Sequence, residues 1–473
     1  MKMNKFTSAL VGLGVISLAG VASAAPITVY ITGSTAARAN FYTACTTAGD
    51  IFATPSATVP AGNAAGVISP SPNNANSANT ITFEGTLKSG PLAGQDVIIN
   101  CSWTGSEAGI SAVAGTTLKQ TLFQAQNPNA APGGTQYSLP GQPPLYLTPA
   151  SGYATTGTIQ SIEGAGSQVN PDFTMADTSQ KVSQTPSPAL TQYGIVGIVS
   201  FTPMKGYESS PDATYGRVTN VPQPALAAAL IAGESLNAYY LTGNSADSVD
   251  GIGIIGRNLG SGTKVNTMLN AALLPVSQLV SQTSLNGTYP AGTPGTLTFS
   301  GVYGPAASVS DNPVGNDGYD SGSGVQKSLN CDGSGKGIVY LGYLGISDAR
   351  HAFLNDNTGA GGTGSAANSG TAVYLQFNGV YESDTAIETG NYTWWGQENL
   401  YGQAGQVAPQ TQIGDGILTG LTTQINTTVN PGGNVTTTAQ NAIIPVPSMQ
   451  VYRSQDYGNP LQGSWPTPYQ FQH

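Results

Sequence analysis

Arg257, followed by Gly260-Ser261-Gly262-Thr263, is the run of residues in this chain best equipped for chemistry. A guanidinium carries a permanent positive charge and two parallel N–H donors that match one edge of an oxyanion. The serine and threonine add hydroxyl donors, and the glycines allow a tight turn. Lys264–Leu274 then sets Val265, Met268, Leu269 and Ala272 at helical spacing, so the loop opens a helix. The first N–H groups of a helix lack intrahelical partners and lie at the positive end of its dipole, which readies such a turn for an anion. Taken alone, an ordinary strand-to-helix turn with a Ser or Thr cap is the better explanation. The design, however, occurs twice more.

The strand that feeds this loop is Gly251–Arg257, a short isoleucine-rich apolar run. Earlier, Ile27–Thr32 alternates as ITVYIT and runs into Gly33-Ser34-Thr35. A helical segment, Ala36–Thr47, follows with Phe41, Ala44 and Cys45 on one face. In the third unit, Val97–Trp103 predicts a strand, Thr104-Gly105-Ser106-Glu107 a turn, and Ala108–Leu118 a helix with Ile110 and Val113 in register. Open α/β sheets place ligands where such turns converge, at the carboxyl edge of parallel strands. Charge-assisted hydrogen bonds contribute roughly 1.5–3 kcal/mol each, so several suffice for micromolar affinity after ordering costs.

Composition bounds the surroundings. The 473 residues suffice for two or three domains. Only 8% are charged and 62 are glycine, which describes a neutral, small-residue surface suited to a secreted protein. The net charge is −10 with no basic stripe, so neither nucleic acid nor an anionic membrane surface is an expected partner. Met1–Ala24 has the form of a cleaved export signal: Lys2 and Lys5, an apolar stretch Ala9–Val21, then Ala22-Ser23-Ala24. The apolar stretch is too short for a membrane span. Cys45, Cys101 and Cys331 allow one disulfide in an oxidising compartment, with all three pairings open.

Further along, Gly194–Phe201 and Gly337–Leu344 are continuous apolar runs expected as buried strands, and Pro224–Gly233 an alanine-rich helix. Thr371–Phe377 and Thr296–Tyr303 have strand composition, and Thr411–Asn430 has helical stretches. Gln124–Gly157 and Val276–Lys336 are expected as loop-rich insertions, Gly359–Gly370 as a low-complexity loop, and the tail from Ser464 as loose chain. Strands alternating with helices make the fold class α/β.

Taken in order, ITGSTAARANFY, TGSEAGISAV, MADTS, GRNLGSGT, YLGISDA and YTWWGQENLYG resemble the PstS-like phosphate-binding proteins of the type 2 periplasmic substrate-binding superfamily. The resemblance runs from about Pro26 to Tyr401, and GRNLGSGT is its most specific part. It implies a two-lobed fold with mostly parallel sheets and helices on both faces, the lobes joined by two crossing strands. The chain then divides into a signal peptide at 1–24, a first lobe at 25–200, a second at 201–344, and a return to the first at 345–473. The family's phosphate site maps onto Ser34 and Thr35 in the first turn, Ser106 in the second, and Arg257, Ser261, Gly262 and Thr263 in the third. Asp177 of MADTS matches the carboxylate that accepts a proton from phosphate. No catalytic residue, metal or cofactor is implied. The expected partners are inorganic phosphate or a related oxyanion and the membrane subunit of an ABC importer, in the periplasm or outside the cell. One position departs: the family commonly has Asp where this chain has Leu259, which leaves Arg257 less neutralised.

Plainer roles stand beside these. Asp177 also suits a cap on the turn at Thr178-Ser179. Ser347 and Asp348 read equally as cleft residues or as a turn after a strand, and Asp332-Gly-Ser-Gly-Lys336 reads as a loop. Asp311, Asn316, Asp317 and Asp320 lack the regular spacing of a calcium loop. Trp394 and Trp395 suit packing better than a sugar platform. The chain's two histidines, His351 and His473, neighbour no nucleophile signature. A secreted structural or surface protein reusing the binding-protein scaffold is the alternative that the neutral, glycine-rich composition favours; a phosphoester hydrolase ranks below it.

Overall fold

The computed structural model describes residues 26–47, 49–53, 66–69, 80–115, 120–121, 136–137, 145–149, 168–232, 236–258, 260–273, 282–285, 299–303, 318–319, 321–354, 371–428, 443–453 and 461–462. The export signal, Leu259, the acidic positions 311–320, the segment Gly359–Gly370 and the tail from Ser464 lie outside them.

The chain builds the same unit twice. In the first, β1 (Ile27–Gly33) leads to α1 (Arg38–Thr46), β2 (Thr80–Thr86), β3 (Asp96–Ser102), α2 (Ser106–Val113) and β4 (Phe173–Ala176). A long strand, β5 (Thr191–Lys205), leaves it. In the second unit, α3 (Gln223–Ala232) and β6 (Gly251–Ile255) lead to α4 (Gly262–Asn270), β7 (Gln282–Leu285), α5 (Gly322–Leu329), β8 (Ile338–Gly345) and α6 (Ile346–Leu354). The strand β9 (Trp395–Gly402) and helix α7 (Gln410–Thr428) then return to the first unit.

The first strand of each unit lies centrally between two parallel partners: β3-β1-β4 and β7-β6-β8. Each trio is closed by an antiparallel strand, β9 on β4 and β5 on β8. The two halves meet on β5, whose residues Thr191–Ser200 pair with β9 and Phe201–Lys205 with β8. The fold is thus α/β and two-lobed, with parallel pairing at the strands that carry the turns and antiparallel pairing in the crossing strands and outer hairpins. The helix α6 and the strand residues Val373 and Tyr374, which pair with the end of β5, remain with the second half.

Local sequence explains these elements. In α7, Ile413, Ile417, Leu421 and Ile425 recur every four residues and are all buried against the first half. In α1, Phe41 packs its ring 5.4 Å from Trp103 and 6.0 Å from Phe83. Trp394 and Trp395 are fully buried, Trp395 beneath the Arg453 guanidinium, which settles them as packing residues. Two expectations need correcting. Gly345–Ala349 is not an open turn, because α6 begins at Ile346 and places Asp348 in its first turn. The segment Val276–Lys336, expected as glycine-rich loop with strand-like pieces, contains the helix α5, with Ser321 as cap and Val325 and Leu329 buried four residues apart. Cys45, Cys101 and Cys331 are buried, and none forms a disulfide among the described residues. No described helix is long and apolar enough to cross a membrane.

Phe41 tests the packing of the first half. We expect Phe41→Ala to lower unfolding free energy by about 3–5 kcal/mol in a urea titration. A loss below about 1 kcal/mol would place the ring outside the packed core.

Candidate functional site

Each expected turn stands at the end of a parallel strand, and the turns are tied to one another. Gly105 N–H donates to the Gly33 carbonyl and Ser34 N–H to the Met175 carbonyl, both at 2.8 Å. The first and second turns are thereby fixed to each other and to the end of β4. The next residue after β4 is Asp177, which is buried. Its Oδ1 accepts from the Ser106 hydroxyl at 2.5 Å, and its own N–H donates back to Ser106 Oγ at 3.2 Å. Asp177 is therefore bound to the second turn rather than capping its own.

The third turn meets this group from the other half. Asn266 of α4 donates its side-chain amide to the Asp177 carbonyl at 2.7 Å. Gly262 lies so close that a methyl group there would collide with the Asp177 carboxylate and Ser106 Cβ, which explains glycine at the helix start. Ser261 caps α4 by accepting from Lys264 N–H. Arg257 is buried; its N–H donates to the Tyr343 hydroxyl and its Nε to the Tyr319 carbonyl. Its charge also acts on Asp177. Five of the expected residues, Ser34, Ser106, Arg257, Ser261 and Gly262, thus surround Asp177 or adjoin those that do. Thr35 follows Ser34 half-buried, and Thr263 is buried in the first turn of α4; among the described residues neither side chain bonds to Asp177 or Ser106.

Three features escaped the sequence reading. Gly260 places its carbonyl on the first N–H groups of α2, accepting from Glu107 at 3.1 Å and Ala108 at 3.3 Å. The donors expected to face an anion are engaged across the cleft with the protein itself. A backbone carbonyl leaves no residue-type signal. Glu107 is the second feature: its carboxylate accepts from the Thr178 hydroxyl at 3.1 Å and Gln184 N–H at 2.8 Å. Glu398 of β9 is the third, fully buried and accepting from the Ser34 hydroxyl at 3.1 Å. Ser347 and Asp348 are carried on α6 in the second half, where the Asp348 carboxylate lies against Gly322 at the start of α5 and within electrostatic reach of Arg38.

Burial dominates the titration of these carboxyls. It raises Asp177 above the ordinary range, opposed by the Ser106 hydrogen bond and the Arg257 charge. It raises Glu398 far more, with Asp177 adding repulsion. Glu107 is pushed up to about 7 by burial, against the Gln184 and Thr178 hydrogen bonds. Chemically, the cluster offers the Arg257 guanidinium, several hydroxyl and amide donors, and carboxyls whose protonated forms burial favours.

No protein-family model matches the chain, and no curated protein matches its sequence. Solved structures do. A chain named as a phosphate ABC transporter substrate-binding protein, with bound phosphate, from Clostridium perfringens matches at 11% identity and TM-score 0.40, covering 85% of this chain and 97% of that one. An ABC-type phosphate transport receptor from Vibrio cholerae matches at 12% identity and TM-score 0.32, covering 68% and 81%. PstS from Borrelia burgdorferi matches at 11% identity and TM-score 0.32, covering 83% and 92%.

Glu107 makes stability depend on pH. Its proton is held up to about pH 7 in the fold, against 4.5 for the ordinary group. The folded state therefore favours the protonated form: its contribution is complete below about 4.5 and is lost as pH rises through 7. We expect unfolding free energy to fall between pH 5 and 8, with about 3 kcal/mol of the fall from this group. Glu107→Gln should flatten the curve without abolishing it, because Glu208 and Glu382 are also raised to about 7. An unchanged slope in that variant would exclude Glu107 as the source.

Proposed function

We propose that this chain is an exported solute-binding protein that holds inorganic phosphate, or a similar tetrahedral oxyanion, between its two halves and delivers it to an ABC importer. The observation that carries the reading is the convergence on Asp177: Ser106 from the first half, and Gly262, Asn266 and the Arg257 charge from the second. The order of motifs resembling phosphate-binding proteins supports the choice of ligand, and the composition of Met1–Ala24 supports export.

In this mechanism Arg257 supplies the positive charge and two parallel donors. Asp177 supplies an acceptor, so the ligand must carry a proton to face it. The hydroxyls of Ser34, Thr35, Ser106, Ser261 and Thr263 and the N–H groups of α2 and α4 replace hydration. The bonds from Glu107 and Ala108 N–H to Gly260 then exchange for ligand oxygens. Neutral exchanges of this kind cost little net free energy, so the cleft can open and close on them.

The alternative is a secreted structural or surface protein on the same scaffold. It is favoured by the α2 donors already bound to Gly260 and by the buried carboxyls that outnumber Arg257.

Calorimetric titration separates the two. We expect phosphate and arsenate to bind more tightly than sulfate at neutral pH, and Asp177→Asn to narrow the gap. Arg257→Ala should weaken phosphate binding by about 2–5 kcal/mol, and Arg257→Lys should recover little, because a point charge cannot reproduce the fork. Tighter binding of sulfate would overturn the role of Asp177. Failure to bind any oxyanion would leave the structural reading.

A further inference from the structure

One carboxyl in the cleft has no part in the mechanism above. The antiparallel register of β9 on β4 sets Asn399 beside Ala176, so Glu398 stands across from Asp177 at the rim where β1 and β4 end. Glu398 is 0% exposed. Its Oε2 accepts from Ser34, while Oε1 has no hydrogen-bond partner among the described residues. A buried carboxylate oxygen without a donor is strongly disfavoured, and a second carboxyl nearby increases the penalty. Such a pair holds a proton, or meets a ligand that brings one.

The charged groups around Glu398 are few. Asp177 faces it from the end of β4, with Arg257 and Glu107 acting on Asp177 from the third turn and from α2. On its other side β5 presents Gly197. The single charged residue of α7, Asp415, acts on Tyr193 instead. Arg453 lies on the Trp395 ring and donates to the carbonyls of Trp395 and Thr393. Lys264, buried in α4, is the other cation of the third turn.

We propose that Glu398 is a second proton-reading carboxyl of this site, so that the protein selects the singly charged, dihydrogen form of a tetrahedral oxyanion, dihydrogen phosphate or arsenate, over the doubly charged form. This rests on the oxyanion-binding reading of the cleft. Asp177 by itself requires one ligand proton, which hydrogen phosphate already carries. A second carboxyl directed at the same ligand requires another proton. With that proton on the ligand, the bound species is the singly charged form, and the complex contains one proton more than Asp177 alone demands. The charge count agrees: Asp177 offsets Arg257, Lys264 leaves one positive charge, and a dianion would bring one negative charge more than that balance into a dry site.

The test is calorimetric titration of the mature chain with inorganic phosphate from pH 5.5 to 8.5. Above neutrality, the apparent Kd is expected to rise by up to about tenfold per pH unit, the signature of one required proton. Runs in two buffers of different ionisation enthalpy should count about one proton taken up per phosphate near pH 8. Glu398→Gln offers a donor that does not titrate; it should flatten the profile and bind more tightly than the unmodified protein at pH 8.5. Glu398→Asp keeps a carboxyl and should keep the slope. Thermal melts confirm that each variant is folded, and if Glu398→Gln is not, the proton count and Glu398→Asp still decide. Phosphate binding by the unmodified protein that is independent of pH, or an unchanged slope in folded Glu398→Gln, overturns the role of Glu398. Absence of any oxyanion binding at every pH overturns instead the reading on which it rests.

Discussion

A carboxylate taken out of water must be given hydrogen bonds and an opposing charge, and Asp177 is where this molecule meets that demand. Its carboxylate takes the Ser106 hydroxyl, its N–H is held by Ser106, its carbonyl by Asn266, and its charge is opposed by Arg257. These partners come from α2, from α4 and from the loop that precedes α4. One residue at the end of β4 therefore ties both halves together. Satisfying it also fixes what surrounds it, since Gly262 has no room for a side chain. Buried polar groups of this kind stabilise only as a complete set, because loss of one donor leaves the others with a desolvated charge.

The two halves share a continuous strand, β5, and an apolar core along it, and polar groups join them around the cleft. Gly260 accepts from α2, Asn266 donates to Asp177, and Arg38 of α1 lies within electrostatic reach of Asp348 on α6. The larger apolar core takes in residues of both units, Phe41, Phe83 and Trp103 with Ile252, Ile254 and Leu341, while Val325, Leu329 and Ile346 belong to a smaller one within the second. Polar contacts exchange with water or ligand at small net cost, whereas apolar cores do not.

The strand–turn–helix units were legible because they join two independent signals, apolar periodicity and a glycine–hydroxyl turn, at Gly33-Ser34, Gly105-Ser106 and Gly260–Thr263. The helix α5 was not, because Gly322-Ser-Gly reads as loop when its cap, Ser321, and its spaced Val325 and Leu329 are overlooked. Glu398 stood in plain sight within an aromatic strand, yet its importance arises from pairing between β9 and β4, which no local pattern encodes. Gly260 acts through its carbonyl, which every residue possesses. Asn266 looks like any polar helix residue until α4 is set beside Asp177. What the sequence hides, then, is the partnership between distant elements, and at this site partnership decides the chemistry.

By charge count alone, an acidic chain with one guanidinium among several carboxyls is a poor host for an anion, and burial works against that count. Distant charges are screened within about 8 Å at physiological ionic strength, so the overall −10 matters little inside the cleft. The same desolvation that strengthens Arg257 as an electrostatic partner raises the pKa of Glu107 and Glu398 and so favours their neutral forms. Dryness thus removes negative charge and amplifies positive charge together. Exposure to water acts in the opposite sense on both: the carboxyls return toward ordinary acidity and the guanidinium is screened. The sign of the local field therefore follows the openness of the cleft rather than the inventory of its residues.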